Sequence, residues 1–81
     1  MNRTTLNKLS PGERGTVQEI ASNTTSIKQR LLEMGLTKGT SIEMVRFAPM
    51  GDPIEISLRG YRLSLRRVEA ESVVVQQDPA K

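Results

Sequence analysis

The sequence predicts a mainly β protein: a small, closed antiparallel barrel of five or so short strands with one short α-helix. Three observations predict this fold. Residues 54–66 alternate between apolar and polar side chains around one glycine. Three consecutive valines at positions 73–75 form another strand-like run. A single helix-to-strand transition, marked by Gly35 and Gly39, interrupts the β pattern.

The clearest β signal, at residues 54–66, predicts a hairpin. A tight turn at Arg59 and Gly60 pairs Leu58 with Tyr61, Ile56 with Leu63 and Ile54 with Leu65. This register places all six large apolar side chains on the face toward the core. It also places Glu55 on the outer face, between Arg62 and Arg66. A shift of one residue would destroy both matches, so the register is strongly specified.

The first clear strand and the helix are predicted from residue spacing. In the strand at residues 16–21, Val17 and Ile20 are three residues apart, which predicts a bulge near Gln18 or Glu19. Ile27, Leu31 and Met34 follow the i, i+4, i+7 spacing of a short amphipathic helix. Thr24, Thr25 and Ser26 are the candidates for its N-cap, and Gly35 follows its last turn.

The C-terminal part predicts one helical turn and a closing strand. Residues 67–71 are too few for a regular helix and predict a single 3₁₀ turn before the last strand. That strand covers residues 72–76. Closure of the barrel would protect the edge strands, which a small domain rarely leaves open.

Length and composition restrict the classes of function. The 81 residues predict a single domain, 1–81, with its core at about residues 6–76 and short tails at residues 1–4 and 77–81. The chain contains neither cysteine nor histidine, so it lacks disulfides, thiolate and imidazole metal ligands and the commonest general base. No nucleophile has a plausible base, which predicts that the protein is not an enzyme.

Charge and hydropathy predict the compartment and the kind of partner. The net charge of +3 favours an acidic partner or an anionic membrane face but is too small to require nucleic acid. No run approaches the roughly 20 apolar residues of a membrane span, and no apolar run follows the N-terminus. We therefore expect a cytoplasmic protein without a signal peptide.

Four segments, spread over residues 6–76, carry a family resemblance. They are Leu9-x-x-Gly12 with Gly15-x-Val17, Arg30-Leu31-x-Glu33-Met34-Gly35-Leu36-x-x-Gly39-Thr40, Ala48-Pro49-Met50-Gly51-Asp52-Pro53-Ile54, and Leu65-Arg66-Arg67-x-Glu69-Ala70. Together they resemble the bacterial FeoA family, the small cytosolic component of the ferrous iron uptake system. The two middle segments in combination are the most specific part of this resemblance.

The resemblance implies an SH3-like antiparallel barrel of five to six strands. It also implies a non-enzymatic cytosolic accessory protein that binds the membrane ferrous iron transporter, which has a cytosolic GTP-binding domain. Such a protein would modulate the assembly or activity of the transporter at the inner face of the cell membrane. Ferrous iron is then the transported substrate of the system, and we expect no intrinsic cofactor.

Metal binding is a further property that the resemblance implies, since some relatives are described as binding transition metals. The carboxylates of this chain that could gather a cation are Asp52, Glu69 and Glu71. Scattered surface carboxylates of this kind usually bind nothing, and oxygen ligands alone bind soft metal ions poorly. We therefore expect no intrinsic metal site.

The candidate partner-binding residues are Leu32, Leu36, Pro49, Met50, Arg62 and Arg66. Pro49 and Met50 lie in a predicted loop, where they are either a rigid connection or an adaptable apolar contact, with Leu32 and Leu36 extending it. Arg62 and Arg66 share the outer face of the hairpin. They form either a solvated face or a contact with an acidic partner or lipid headgroups.

Two other functions remain as alternatives. A nucleic-acid-binding SH3-like barrel fits the basic charge, but only Phe47 and Tyr61 could stack on bases, so we expect no nucleic acid partner. A peptide-binding SH3-like module for proline-rich ligands requires an aromatic-lined groove, which the composition does not supply. We expect a monomer or a weak homo-oligomer with weak contact to the membrane surface.

Overall fold

The computed structural model describes residues 2–78. The strands are β1 (Asn2–Thr5), β2 (Arg14–Ile20), β3 (Ser41–Phe47), β4 (Ile54–Leu58), β5 (Tyr61–Leu65) and β6 (Val73–Gln77). The helices are α1 (Thr25–Glu33) and the single turn α2 (Arg67–Ala70), and a 3₁₀ turn covers Leu6–Lys8. The strands form one antiparallel sheet in the order β1-β6-β2-β3-β4-β5, so the predicted mainly β class is confirmed.

One hydrophobic core lies on the inner side of this curled sheet. Strands β2 to β6, both helices and the 3₁₀ turn all contribute buried side chains to it. The fully buried large side chains are Leu6, Leu9, Leu31, Leu36, Ile42, Met44, Ile54, Ile56, Leu65, Val17, Val73 and Val75. Because alternate residues of each strand face inward, the remaining residues of the strands form the outer surface.

The predicted hairpin register is confirmed in all three pairs. Arg59 and Gly60 both have positive φ, 49° and 86°, as the two central residues of a type I′ turn require. The predicted position of Tyr61 inside the core is wrong, because its side chain is 45% exposed. Tyr61 lies beside the turn, and its hydroxyl donates to the carbonyl oxygen of Met34 at the end of α1.

The bulge in β2 is confirmed at Gln18, where the pairing with β6 shifts between Val17 and Glu19. A second bulge, which the sequence did not predict, lies in β3 between Met44 and Arg46. Both bulges increase the local twist of a strand. They therefore help the six-stranded sheet to curl around its core.

Helix α1 ends at Glu33, and the predicted glycine, Gly35, follows its C-cap residue Met34. Thr24 is the N-cap, and Gly35 has a φ of 103°. The amide of Gly35 donates to Leu32 O at 3.0 Å and that of Leu36 donates to Leu31 O at 3.1 Å, which is the hydrogen-bond pattern of a Schellman motif.

This motif explains why Leu36 is not a surface residue. The chain reverses at Gly35, and the residue after such a reversal typically packs against the preceding helical turn. Leu36 and Leu31 are accordingly both fully buried in the core. The prediction that Leu36 belongs to a partner-binding surface is therefore wrong.

The helical turn before the last strand lies where it was predicted. The amide of Glu69 donates to Arg66 O at 2.9 Å, as in a 3₁₀ turn, and that of Ala70 also donates to Arg66 O, at 3.1 Å. This second bond is of the α type and makes Arg67–Ala70 one α-helical turn. No helix of the described chain is long and apolar enough to cross a membrane.

The two ends of the sheet differ from the prediction. Residues 2–4 were expected in a polar tail, but Asn2–Thr5 is strand β1 and pairs with β6. Gln77 belongs to β6, and Asp78 N donates to Arg14 O at 2.8 Å, so this part of the expected C-terminal tail is also ordered by hydrogen bonds. The rest of that tail, at positions 79–81, lies outside the described residues.

The sequence predicted a closed barrel, but the hydrogen-bond ladders between the strands do not close it. Within residues 2–78, β1 pairs only with β6 and β5 pairs only with β4. The sheet therefore keeps two edge strands.

Candidate partner-binding site

The loop between β3 and β4, at residues 48–53, has a defined conformation. Ala48 N donates to Pro53 O at 3.0 Å, and Gly51 N donates to Ala48 O at 2.7 Å. These two backbone hydrogen bonds close the loop on itself. It therefore presents its side chains from a constrained position on the barrel, as binding loops on rigid scaffolds do.

A hydrogen bond joins this loop to helix α2. The carboxylate oxygen Oδ1 of Asp52 accepts from the backbone amide of Arg67 at 2.9 Å. The first amides of a helix have no partner within the helix, so an acidic side chain at this end satisfies one of them. The loop and the start of α2 thus lie against each other at one end of the barrel.

Apolar side chains flank this joint on both sides. Met50, two residues before Asp52, is 90% exposed, and Val68, directly after Arg67, is 62% exposed. Pro49 and Arg66 are also exposed. We call Pro49, Met50, Arg66 and Val68 the loop–helix patch.

Val68 was not among the predicted site residues. Its neighbours Glu69 and Ala70 are buried, which leaves Val68 on the outer side of α2. A four-residue helix is too short to show a helical period, so the sequence contained no signal for this orientation.

The predicted arginines Arg62 and Arg66 both lie on the outer face, as strand alternation indicated. Arg62 Nη1 lies 3.6 Å from Glu55 Oε1, so the predicted neighbour neutralises part of its charge. Arg66 has no ion pair within residues 2–78. Arg66 therefore contributes the positive charge of the patch, whereas Arg62 lies farther along β5.

Leu32 is partly exposed, at 37%, but it does not join the loop–helix patch. Arg30 reaches Glu69 of α2 with a contact of 2.9 Å, so the Arg30 side of α1 faces α2. Residues two positions apart in a helix point about 200° apart around its axis. Leu32 consequently lies on the opposite side of α1 from α2.

Arg59, another member of the basic set, has a structural position that the sequence did not reveal. Its Nη2 donates to Thr37 Oγ1 at 3.2 Å and to Thr40 Oγ1 at 3.0 Å. The Thr40 hydroxyl donates in turn to Gly35 O at 3.2 Å. The hairpin turn is thereby fastened to the segment that follows α1.

The residues of this chain do not fit a transition-metal site. The sequence has no histidine or cysteine, and no group of three or more acidic side chains that could hold a metal ion occurs among residues 2–78. Glu69, one of the three carboxylates considered above, is paired with Arg30. Asp52, another of them, accepts from Arg67 N.

Fold and surface together define a small SH3-like β-barrel domain with an exposed loop between β3 and β4. Comparison with known proteins identifies the family: the model of the FeoA domain matches residues 4–77. The chain belongs to the FeoA domain family, as its four sequence segments indicated.

Individual relatives agree with this assignment. The chain is 31% identical over 71 residues to an Fe(2+) transport protein A/Fe(2+) transporter FeoB fusion protein of Porphyromonas gingivalis. The match covers 88% of this chain but only 8% of the fusion protein, so the chain corresponds to a small part of that relative.

Two solved structures share the fold over nearly their whole length. An FeoA-like protein of Clostridium acetobutylicum has a TM-score of 0.89 at 33% identity, covering 100% of this chain and 93% of that one. The zinc complex of Stenotrophomonas maltophilia FeoA, described as a prokaryotic SH3 domain protein, has a TM-score of 0.80 at 31% identity. This match covers 93% of this chain and 95% of the S. maltophilia protein.

Proposed function

We propose that this protein is a non-enzymatic accessory component of a ferrous iron uptake system and binds the cytosolic part of the membrane iron transporter. The observation that carries this proposal is the fusion relative, in which a domain similar to this chain and an Fe(2+) transporter share one polypeptide. Fusion keeps two domains at a high effective concentration. A family member that is not fused to its transporter would need a binding surface to remain near it.

The loop–helix patch is the surface proposed for this contact. Met50 is unbranched and flexible, so it adapts to an apolar pocket, and Val68 enlarges the apolar area. Arg66 adds a positive charge that favours an acidic partner surface. The loop is constrained by its own hydrogen bonds and by Asp52, so binding has little ordering cost.

The proposed role is to modulate the assembly or activity of the transporter at the inner face of the cell membrane. Ferrous iron is the cargo of the transporter, and no step of the proposed role requires this chain to bind it. The nucleic-acid alternative gains no support from the aromatic residues: Phe47 packs against the core, and the Tyr61 hydroxyl is bonded to Met34.

Uptake of radiolabelled ferrous iron by cells that lack this gene tests the proposal. We expect reduced uptake, restored by the wild-type chain and poorly restored by Met50→Ser. The conservative variant Met50→Leu is the matched control and should restore uptake, since it retains the apolar contact. Unchanged uptake in the deleted cells would refute the proposed role.

A further inference from the structure

The open edge of β5 carries backbone groups that the fold does not use. Within the described chain, β5 stands at the end of the sheet and pairs only with β4. In an antiparallel pair, alternate residues direct their N–H and C=O groups toward the partner strand, and the residues between them direct theirs away from it. The direction of the N–H and C=O groups at each β5 residue therefore determines which of them an added strand could bond to.

The hairpin turn sets that direction. Its two-residue loop makes Leu58 and Tyr61 the hydrogen-bonded pair that closes the turn. Counting from Tyr61, Leu63 also bonds to β4. The backbone groups of Arg62 and Ser64 are then directed outward, away from the sheet.

Hydrogen bonds elsewhere in the sheet give the same result. Met44 O accepts from Gly12 N at 2.8 Å and Met44 N donates to Glu13 O at 2.9 Å, so the backbone groups of Met44 are directed away from β4. Ile56 pairs with Met44 and must therefore direct its own groups toward Leu63 of β5. Arg62 and Ser64 again remain as the outward residues.

These outward groups are available for binding. Arg62 and Ser64 are both exposed, and β5 has no second partner strand within residues 2–78, so the pairing geometry leaves their outward N–H and C=O groups without a partner strand. No turn or loop of the described residues bonds to these groups either. Such an edge is a template for an added strand. The other edge strand, β1, has four residues, and its Arg3 is already paired with Glu19 at 3.0 Å.

The side chains around this edge determine which kind of strand fits. Arg62 lies on the outer face, and Arg66 follows just after the strand. On the inner face, Leu63 is half-buried against the core and Tyr61 is 45% exposed. A strand with acidic residues beside the arginines and apolar residues beside Leu63 and Tyr61 complements both faces.

A second copy of this chain fits the edge poorly. Antiparallel pairing of two β5 strands would bring Arg62 and Arg66 of both copies onto one face, and like charges close together across strands are destabilising. Each copy also carries a net charge of +3. The charge of this edge therefore selects an acidic partner.

We propose that the open edge of β5 binds an extended acidic segment of a partner protein, which adds to the sheet as a further strand. Main-chain hydrogen bonds to Arg62 and Ser64 supply affinity, and the alternation of acidic and apolar side chains supplies specificity. The binding groups proposed here are the backbone of Arg62 and Ser64, and the β5 edge shares only the side chain of Arg66 with the loop–helix patch. The proposal stands or falls independently of the proposed role in iron uptake.

The direct test uses the full chain and a synthetic peptide of about ten residues in which glutamate alternates with valine, a length typical of the longer strands. Hydrogen exchange of the backbone amides is followed by NMR with and without the peptide. At saturation, exchange at Arg62 and Ser64 should slow by roughly tenfold or more, because these amides become bonded. The amide of Leu63, already bonded to β4, should change less.

Two matched variants separate the backbone from the side chain. Ser64→Pro removes the outward N–H but none of the bonds to β4, a position where an edge strand tolerates proline. Ser64→Ala removes only the hydroxyl. Peptide affinity should fall by roughly tenfold in Ser64→Pro and stay unchanged in Ser64→Ala.

A charge variant provides a readout that does not depend on the fold of Ser64→Pro. Arg62→Glu should weaken binding of the glutamate peptide and strengthen binding of a peptide with lysine in its place. Three results would overturn the proposal. They are absence of peptide binding, binding that leaves the Arg62 and Ser64 amides unprotected, and protection that grows with protein concentration without peptide, which would mean self-pairing.

Discussion

Arg30 Nη1 lies 2.9 Å from Glu69 Oε2, and this ion pair joins helix α1 to helix α2. The second carboxylate oxygen, Oε1, accepts from the backbone amide of Arg66 at 2.9 Å and so caps α2. Glu69 is only 6% exposed, whereas the Arg30 side chain is 59% exposed. The nearly buried carboxylate of Glu69 therefore positions α2, which carries Val68 and has Arg66 as its N-cap, the two patch residues outside the loop.

Replacement of Glu69 should destabilise the fold more than replacement of Arg30. Glu69→Ala removes the cap and the ion pair together, and we expect a loss of about 2 kcal/mol in the free energy of unfolding. Arg30→Ala removes a pair that is half exposed to solvent and should cost about 0.5 to 1 kcal/mol. Urea denaturation measures both values.

The variant Glu69→Gln is the matched control, since its amide oxygen still accepts from Arg66 N. It should fall between the wild type and Glu69→Ala. Equal losses for the alanine and glutamine variants would show that the cap contributes nothing and would contradict this role of Glu69.

The two leucines on either side of Gly35 should respond very differently to truncation. Leu36→Ala empties a fully buried site and should cost about 2 to 5 kcal/mol. Leu32→Ala alters a side chain that is 37% exposed and should cost less than about 1 kcal/mol. Thermal or chemical unfolding measures the stability of the two variants. Similar losses of stability in both would contradict the burial of Leu36.

The hydroxyl of Thr40 should matter more than its methyl group. Thr40 is 5% exposed, and its Oγ1 bonds to both Gly35 O and Arg59 Nη2. Thr40→Val keeps the shape but leaves these groups without their partner, at a cost of about 1 to 3 kcal/mol. Thr40→Ser retains the hydroxyl and should be the more stable of the two variants. The opposite order in a denaturation experiment would refute this network.

Substitutions in the loop–helix patch should weaken partner binding without unfolding the protein. Met50→Ser and Val68→Ser each remove an exposed apolar contact, and we expect Met50→Ser to reduce affinity for the transporter's cytosolic part by about tenfold. Leu32→Ser, on the opposite side of α1, is the control and should bind normally. Loss of binding in Leu32→Ser alone would place the contact surface on α1.

Local pattern predicted the parts of the fold that local rules decide. Strict alternation fixed the pairing of Ile56 with Leu63, and the spacing of Val17 and Ile20 located the bulge at Gln18. Strand β1 was missed because Asn2–Thr5 has no apolar alternation and owes its structure to pairing with β6.

The wrong predictions concern the positions of Leu36 and Tyr61. These positions, and the contacts that were not predicted, are determined by residues that are neighbours in space but not in sequence. Leu36 was grouped with Leu32 as an extension of the loop surface, but the chain reverses at Gly35 and Leu36 is fully buried. Tyr61 continued the inward alternation, but its hydroxyl is bonded to the end of α1 at the rim of the barrel. The Arg30–Glu69 and Asp52–Arg67 contacts join segments far apart in sequence, and no spacing rule reveals such pairs.

Titration of this chain against the cytosolic GTP-binding part of the membrane iron transporter is the most direct test of the proposed function. Calorimetry with and without nucleotide would measure it. We expect saturable one-to-one binding that weakens at higher salt, because Arg66 contributes a positive charge. The affinity should fall about tenfold in Met50→Ser. Absence of binding in both nucleotide conditions, or equal binding by wild type and Met50→Ser, would contradict this expectation.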